Sequence, residues 1–308
     1  MTAGNTSPAE SGSAELPREV VSNRLLKGSV KRSYIPVVDI DWEAPLDDDK
    51  FFVAPKTLSL YGTELWDRMD RAQRIELSRQ EFVNMLSTAI WFENIVNQGL
   101  LRHVMHADPR SSETHYSLTE LGDETRHMVM FGKAIQKVGA EHVRVPLAQR
   151  VVLNTIPFFL RGSGLWLFAL LGEDITDELQ RQMVDDPDVQ PLAQRVLRVH
   201  ILEEARHISF ARDGIRKRVA EMPRWRRAVL ANVLGFHGIV NQQAFINPVV
   251  YRRVGLPDPK AARRAAKANE NFRLVQKRCF AGLAEFFEET GLMGRVSRKI
   301  WKKIGYLD

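Results

Sequence analysis

Residues Leu197 to Ala211, LRVHILEEARHISFA, carry three side chains able to hold a metal ion. His200, Glu204 and His207 stand four and then three apart, so a helix of 3.6 residues per turn gathers them into one stripe about two turns long. A shorter version lies upstream in GDETRH, where Glu124 and His127 are again three apart. Carboxylate oxygen mixed with imidazole nitrogen suits iron or manganese. Two Glu-x-x-His pairs in one helical chain are the pattern of a carboxylate-bridged di-iron or di-manganese bundle, which needs one further Glu from each of two other helices.

The elements that must position these groups are helical. A short helix near Ser59 to Met69 precedes a long one, roughly Asp70 to His106, with apolar Ile75, Phe82, Leu86, Ile90 and Val104. Asp108-Pro109 breaks it, and Ser111 and Ser112 offer caps for a helix reaching about Val138. A third helical region runs through Leu171, interrupted by Pro157, Gly162 and Gly164. A fourth covers about Val189 to Val219. Further helices are expected over Trp225 to Asn247 and Ala261 to Thr290, with a basic final helix from Gly294 to Lys303. No alternating strand run of useful length is present. The expected class is therefore all-α, a ferritin-like four-helix di-iron bundle with additional helices. Residues 1–19 are small and polar without an apolar h-region and read as a disordered tail. Residues 20–308 read as a single domain, opening with an irregular arm to Pro55 anchored by Tyr34, Trp42, Phe51 and Phe52.

Helix geometry suggests the missing carboxylates. If the chain reverses near Asp108-Pro109, Glu93 and Glu124 each lie roughly 23 Å from the reversal and so at similar height. A second reversal near Pro187 sets Glu173 against Glu204 more loosely, with Asp174, Asp177 and Glu178 as competitors. Asp123 and Glu203, each four residues before a histidine, are placed to accept from the imidazole of the opposite pair, with Arg126 and Arg206 balancing them. The alternative is a set of surface salt bridges.

These residues together resemble the family of di-iron arylamine N-oxygenases. By that resemblance Glu93 is the ligand of the first helix, Glu124 and His127 of the second, and Glu173 of the third, which decides between Glu173 and Glu178. His200, Glu204 and His207 come from the fourth, with His200 the extra histidine that separates the family from other ferritin-like proteins. The resemblance covers about residues 70 to 290. It implies a centre of two iron ions, manganese being a substitute, and O2-dependent N-oxygenation of a small amine toward hydroxylamine or nitro product, with His200 and Glu204 closest to the chemistry. An arginine on a late helix is implied as a clamp for an acidic substrate, and FRLVQKRC offers Arg273 and Arg278. Without a Gly-rich nucleotide loop, electrons must come from a reductase or ferredoxin.

Composition removes other classes. The formal charge of +6 comes from 44 basic against 38 acidic residues, with no dense arginine block to suggest nucleic acid. A single cysteine, Cys279, excludes an intrachain disulfide framework and fits a reducing cytoplasm; it reads as a buried side chain. The apolar stretch Val151 to Leu171 resembles a membrane span, but Arg161 and its glycines favour a buried helix over stable membrane insertion. The basic final helix, with Ile300, Trp301 and Ile304, is expected to pack on the domain or on a second copy in a homodimer. Rival functions are a di-iron carbon hydroxylase or desaturase, a ferroxidase, and a metal-free helical scaffold.

Overall fold

The computed structural model describes residues 16–145 and 147–308, so residues 1–15 of the expected tail lie outside it. The helices are α1 (Arg18–Lys31), α2 (Pro36–Asp39), α3 (Glu64–Arg68), α4 (Arg71–Val104), α5 (Ser112–Lys137), α6 (Leu147–Phe159) and α7 (Ser163–Arg181). They continue with α8 (Pro191–Ala220), α9 (Arg224–Val233), α10 (Gly235–Phe245), α11 (Pro248–Arg253), α12 (Pro259–Ala268), α13 (Glu270–Glu289) and α14 (Arg295–Ile304). Among the described residues the only extended pairing is a bridge between Phe51 and Val189, which pins the arm to the turn before α8.

Two helical hairpins make the central bundle. In α4–α5, Asp70 accepts from the Gln73 amide while the Gln73 side chain accepts from Asp70, a capping box that fixes where the long helix starts. Ser111 caps α5 by accepting from the Thr114 amide. In α7–α8, Pro191 opens the second helix, where its missing N–H leaves no bond unmade. The hairpins meet through α4 against α7 and α5 against α8, while α1 lies on α5 and α8 and α13 lies on α7. One contiguous apolar cluster joins them all, with Trp166, Phe82, Phe131 and Phe210 fully buried.

Several boundaries differ from the sequence expectation. Residues 18–31 form helix α1 where the last two residues of a disordered tail and the start of an irregular arm were expected, burying Val21, Ser22, Leu25 and Ser29. The third helical region divides at Gly162, whose φ of 52° favours glycine, and its second half runs past Leu171 to Arg181. The helix expected over Trp225 to Asn247 breaks before Gly235, where a Cβ would stand 2.4 Å from the Ser297 backbone; the missing side chain lets α14 dock. The helix expected over Ala261 to Thr290 breaks at Asn269, whose side chain donates to the Ser59 and Tyr61 carbonyls. The final helix packs on the domain, with Trp301 fully buried against α10 and α13. No described helix is long and apolar enough to cross a membrane.

The close approach between hairpins occurs at Gly172, not at Gly162 or Gly164. A Cβ on Gly172 would lie 2.1 Å from Cζ of Phe92, whereas one on Gly164 would meet nothing. Phe92 and Gly172 each precede a candidate metal ligand, so this contact fixes how α4 and α7 present Glu93 and Glu173. Gly172→Ala is expected to lower the thermal midpoint through overpacking of about 1–3 kcal/mol, while Gly164→Ala leaves it level or raised. Equal midpoints for the two variants would show that this contact does not set the spacing.

A second prediction concerns the half-buried Glu81, away from the bundle centre. Burial pushes its carboxyl from 4.5 to about 7, although Ser59 donates to it through both hydroxyl and amide. The folded state therefore binds a proton that the unfolded state has lost, and stability should fall as pH rises from 4.5 through 7. Denaturant midpoints across that range should slope less in Glu81→Gln than in wild type; identical slopes would contradict this assignment.

Candidate metal centre

Seven side chains from four helices converge in the bundle, none more than 2% exposed: Glu93, Glu124, His127, Glu173, His200, Glu204 and His207. Helical spacing explains the convergence. On α8, His200, Glu204 and His207 share the face turned toward α4 and α5, and on α5 Glu124 and His127 meet them.

Ligand atoms of Glu93, His127, His200 and Glu204 lie within 4.8 Å of one another, as do those of Glu124, Glu204 and His207. Glu204 belongs to both groups. Glu124 also spans them, with Oε2 3.0 Å from His127 Nδ1 and Oε1 2.8 Å from His207 Nδ1. His200 Nε2 stands 3.4 Å from Glu204 and 3.6 Å from Glu93. Glu173 stands outside both groups, but its charge acts on Glu204 and Glu124 from the α7 side. Its competitors face elsewhere: Asp174 pairs with Arg212, Asp177 with Arg181, and Glu178 is partly exposed.

The histidines are held from outside. His127 Nε2 donates to Glu203 at 3.0 Å, and His207 Nε2 donates to Asp123 at 3.1 Å. Arg206 reaches Asp123 at 3.2 Å and Glu203 at 3.7 Å, while Arg126 pairs with Asp123. These are the cross-bundle partners expected from the repeated acid-Glu-x-Arg-His pattern. His200 Nδ1 donates to Gln180 Oε1 at 2.9 Å, leaving Nε2 facing the carboxylates. Sequence reasoning missed Gln180, although its position seven residues after Glu173 puts it on the same face of α7. It also missed Glu120, one turn before Glu124 and 1% exposed.

The electrostatics are those of a cluster with more acid than cation. Burial, then the charges of Glu124 and Glu204, hold Glu93 well above the ordinary carboxylate range, and burial with Glu204 does the same to Glu173. Burial and Glu124 push Glu204 upward too, yet His207, His200 and a hydrogen bond from His127 overcome them and bring it down to about 2. Burial depresses His200 to about 4. For His127 burial also pulls downward, but hydrogen bonds to Glu124, Glu203 and Glu204 prevail and lift it well above its ordinary value.

The cluster fits metal ions on its own chemistry. Both oxygens of Glu173, Oε2 of Glu93, Oε2 of Glu204 and Nε2 of His200 are buried without a hydrogen-bond partner. Orphaned acceptors at this density are costly unless a cation gathers them. Outer acids take the far nitrogens of His127 and His207, so the near nitrogens are available as donors.

Arg273 and Arg278, expected to clamp an acidic substrate, do not join this site. Both lie on the exposed face of α13, because Phe272, Val275, Gln276 and Cys279 occupy its buried face, and Arg273 Nε donates to the Lys267 carbonyl. His237 is turned to the Leu171 carbonyl at 3.0 Å. Cys279 is buried, which pushes its thiol up to about 12 and leaves no reactive thiolate.

Relatives include uncharacterised proteins of Mycobacterium tuberculosis and Mycobacterium bovis, each 28% identical over 290 residues, covering 90% of this chain and 84% of theirs. Residues 15–291 match the family described as p-aminobenzoate N-oxygenase AurF. That match spans the arm and both hairpins, and the buried Glu/His cluster lies within it. The chain therefore belongs to the p-aminobenzoate N-oxygenase family and is a di-iron oxygenase by type.

Proposed function

We propose that this protein inserts oxygen from O2 into the nitrogen of a small arylamine, giving the hydroxylamine and, on further turnover, more oxidised nitrogen. The observation that carries this reading is the third inward-facing histidine. His200 adds an imidazole to a set that two Glu-x-x-His pairs would already complete, and Gln180 holds it in place. Glu93, Glu124, Glu173, Glu204, His127, His200 and His207 would hold two iron ions; manganese suits the same donors. When bound, the iron pair supplies electrons to dioxygen and transfers one of its atoms.

The remaining contribution is the chain's own. Asp123 and Glu203 fix the tautomers of His207 and His127 and make their inner nitrogens more basic. Aromatic side chains limit water at two sides of the centre, with Phe92 and Phe168 stacked at 5.1 Å beside Glu93 and Phe131 against His200. An external reductase or ferredoxin would deliver electrons. The cytoplasm, with residues 20–308 acting as one unit, suits this assignment.

Two results test the reading. Protein loaded anaerobically should bind two irons per chain; Glu204→Ala and Glu173→Ala should lose at least one, and Glu178→Ala should keep both. Equal loss in the Glu173 and Glu178 variants would overturn the ligand set. Reduced, iron-loaded protein given O2 and a panel of arylamines should yield products heavier by one oxygen with the atom on nitrogen. Arg273→Leu and Arg278→Leu should leave the choice between a carboxylated arylamine and its carboxamide unchanged. Oxygen found only on carbon would identify a hydroxylase instead.

A further inference from the structure

Beyond the seven candidate ligands, α5 carries a line of buried polar groups. Glu113, the adjacent pair Tyr116 and Ser117, Glu120 and Glu124 succeed one another turn by turn and share one face over about 16 Å. The outer end is wet: the Glu113 side chain is 26% exposed and pairs with Arg18 at 3.3 Å and Arg218 at 3.2 Å. The inner end is the metal cluster, through Glu124. Between them Tyr116 and Ser117 are fully buried and Glu120 is 1% exposed. The Tyr116 hydroxyl, the Ser117 hydroxyl and both Glu120 oxygens have no hydrogen-bond partner in the protein.

Facing helices add more groups of the same kind. Asn97, one turn beyond Glu93 on α4, has both side-chain polar atoms unpartnered, and so does the indole nitrogen of Trp166 on α7. Tyr116 and Trp166 both pack on Phe210, and Arg18 lies 3.5 Å over the same ring with one terminal nitrogen unpartnered. These atoms gather at one end of the bundle, beside the cluster. Buried donors and acceptors in such a row are satisfied by ordered water, and a row of water and hydroxyls conducts protons.

We infer that this face of α5 is a hydrated proton path from Glu113 to the metal centre, with Glu120 its last acid. The inference rests on the oxygenase reading above. Each turnover of the proposed reaction joins one amine, one O2, two protons and two electrons from a reduced electron-transfer protein, and releases one hydroxylamine and one water. One oxygen atom enters the N–O bond and the other leaves as water. The two protons must cross an apolar wall, and this line of groups crosses it.

Charge balance favours the same role. Four ligand carboxylates match two divalent cations, and Glu120 is a fifth that repels Glu173. The groups facing it are Glu124 on α5, Glu173 on α7, Glu204 and His207 on α8, and Arg18 on α1. Arg18 is already engaged by Glu113 and Asp213. A fifth buried carboxylate without its own cation is more stable as the neutral acid, the form that can give up a proton.

The test has two independent arms. In zinc-loaded protein, where no redox chemistry occurs, infrared spectra should show the C=O stretch of a protonated carboxylic acid that shifts in D2O. Glu120→Gln should remove that signal, while Glu81→Gln identifies the contribution of Glu81, a raised acid away from the centre. In iron-loaded protein with unchanged metal content, Glu120→Gln should lower kcat about 100-fold with little change in KM and an altered solvent isotope effect. Glu120→Asp should restore part of the rate, and Tyr116→Phe should lower it less. If Glu120→Gln does not fold, Glu120→Asp and Tyr116→Phe carry both arms. Wild-type turnover in the Gln variant, or an unchanged carboxylic acid signal, overturns the path. Should wild-type protein oxygenate no amine, the functional reading fails while the infrared arm still decides the state of Glu120.

Discussion

Placing four carboxylates and three imidazoles in a helix bundle where none is more than 2% exposed sets a requirement that the surrounding structure has to meet. Ionised groups removed from water are unfavourable by several kcal/mol each unless charge and hydrogen bonds compensate them. Here the compensation is layered. Inside, Glu124 and Glu204 each approach more than one histidine, so that neither of these two acids stands alone with its charge. Outside, Asp123 and Glu203 accept from the far nitrogens, and Arg206 and Arg126 answer those acids in turn. The result alternates in sign from the centre to the surface.

The two halves of this arrangement repeat one another. Asp-Glu-x-Arg-His on α5 and Glu-Glu-x-Arg-His on α8 give each helix an inward carboxylate, an inward histidine and an acid for the other helix's histidine. Reciprocal bonding of this kind fixes the register of α5 on α8: a slide of one residue would break both acid–histidine bonds together. What distinguishes the halves is His200, which only α8 carries and which Gln180 of α7 orients. The added imidazole gives one group of candidate ligands two histidines and the other one.

Much of this was legible in the sequence because helical spacing translates directly into position. The pairs at 124/127 and 204/207, the height of Glu93, and the acids before each pair follow from 3.6 residues per turn. What was not legible depends on contacts between elements. Asn269 ends α12 because its side chain finds carbonyls of the arm, and nothing local announces that. Gly172 looked ordinary beside Gly162 and Gly164, since only the arrival of Phe92 from another helix gives it a task. Arg273 and Arg278 were read toward the site because arginine can bind a carboxylate, but the apolar period of α13 turns them outward. Glu120 stands one turn before Glu124 and so on the same buried stripe, but a lone acid at that spacing carries no metal-ligand pattern of its own.

The arm over residues 18–34 shows how far the compensation extends. The Tyr34 amide donates to Oε1 of Glu203 at 3.2 Å, and Oε2 of the same carboxylate accepts from His127. Arg206, which steadies Glu203 and Asp123, also donates to the Arg32 carbonyl at 3.2 Å. At the other end of α1, Arg18 donates to the Phe210 carbonyl and to Asp213, closing the bundle over Tyr116. One carboxylate therefore joins the arm to His127, a candidate ligand. A segment that begins as a cover over the core thus forms part of the outer layer on which the charge balance of the centre depends.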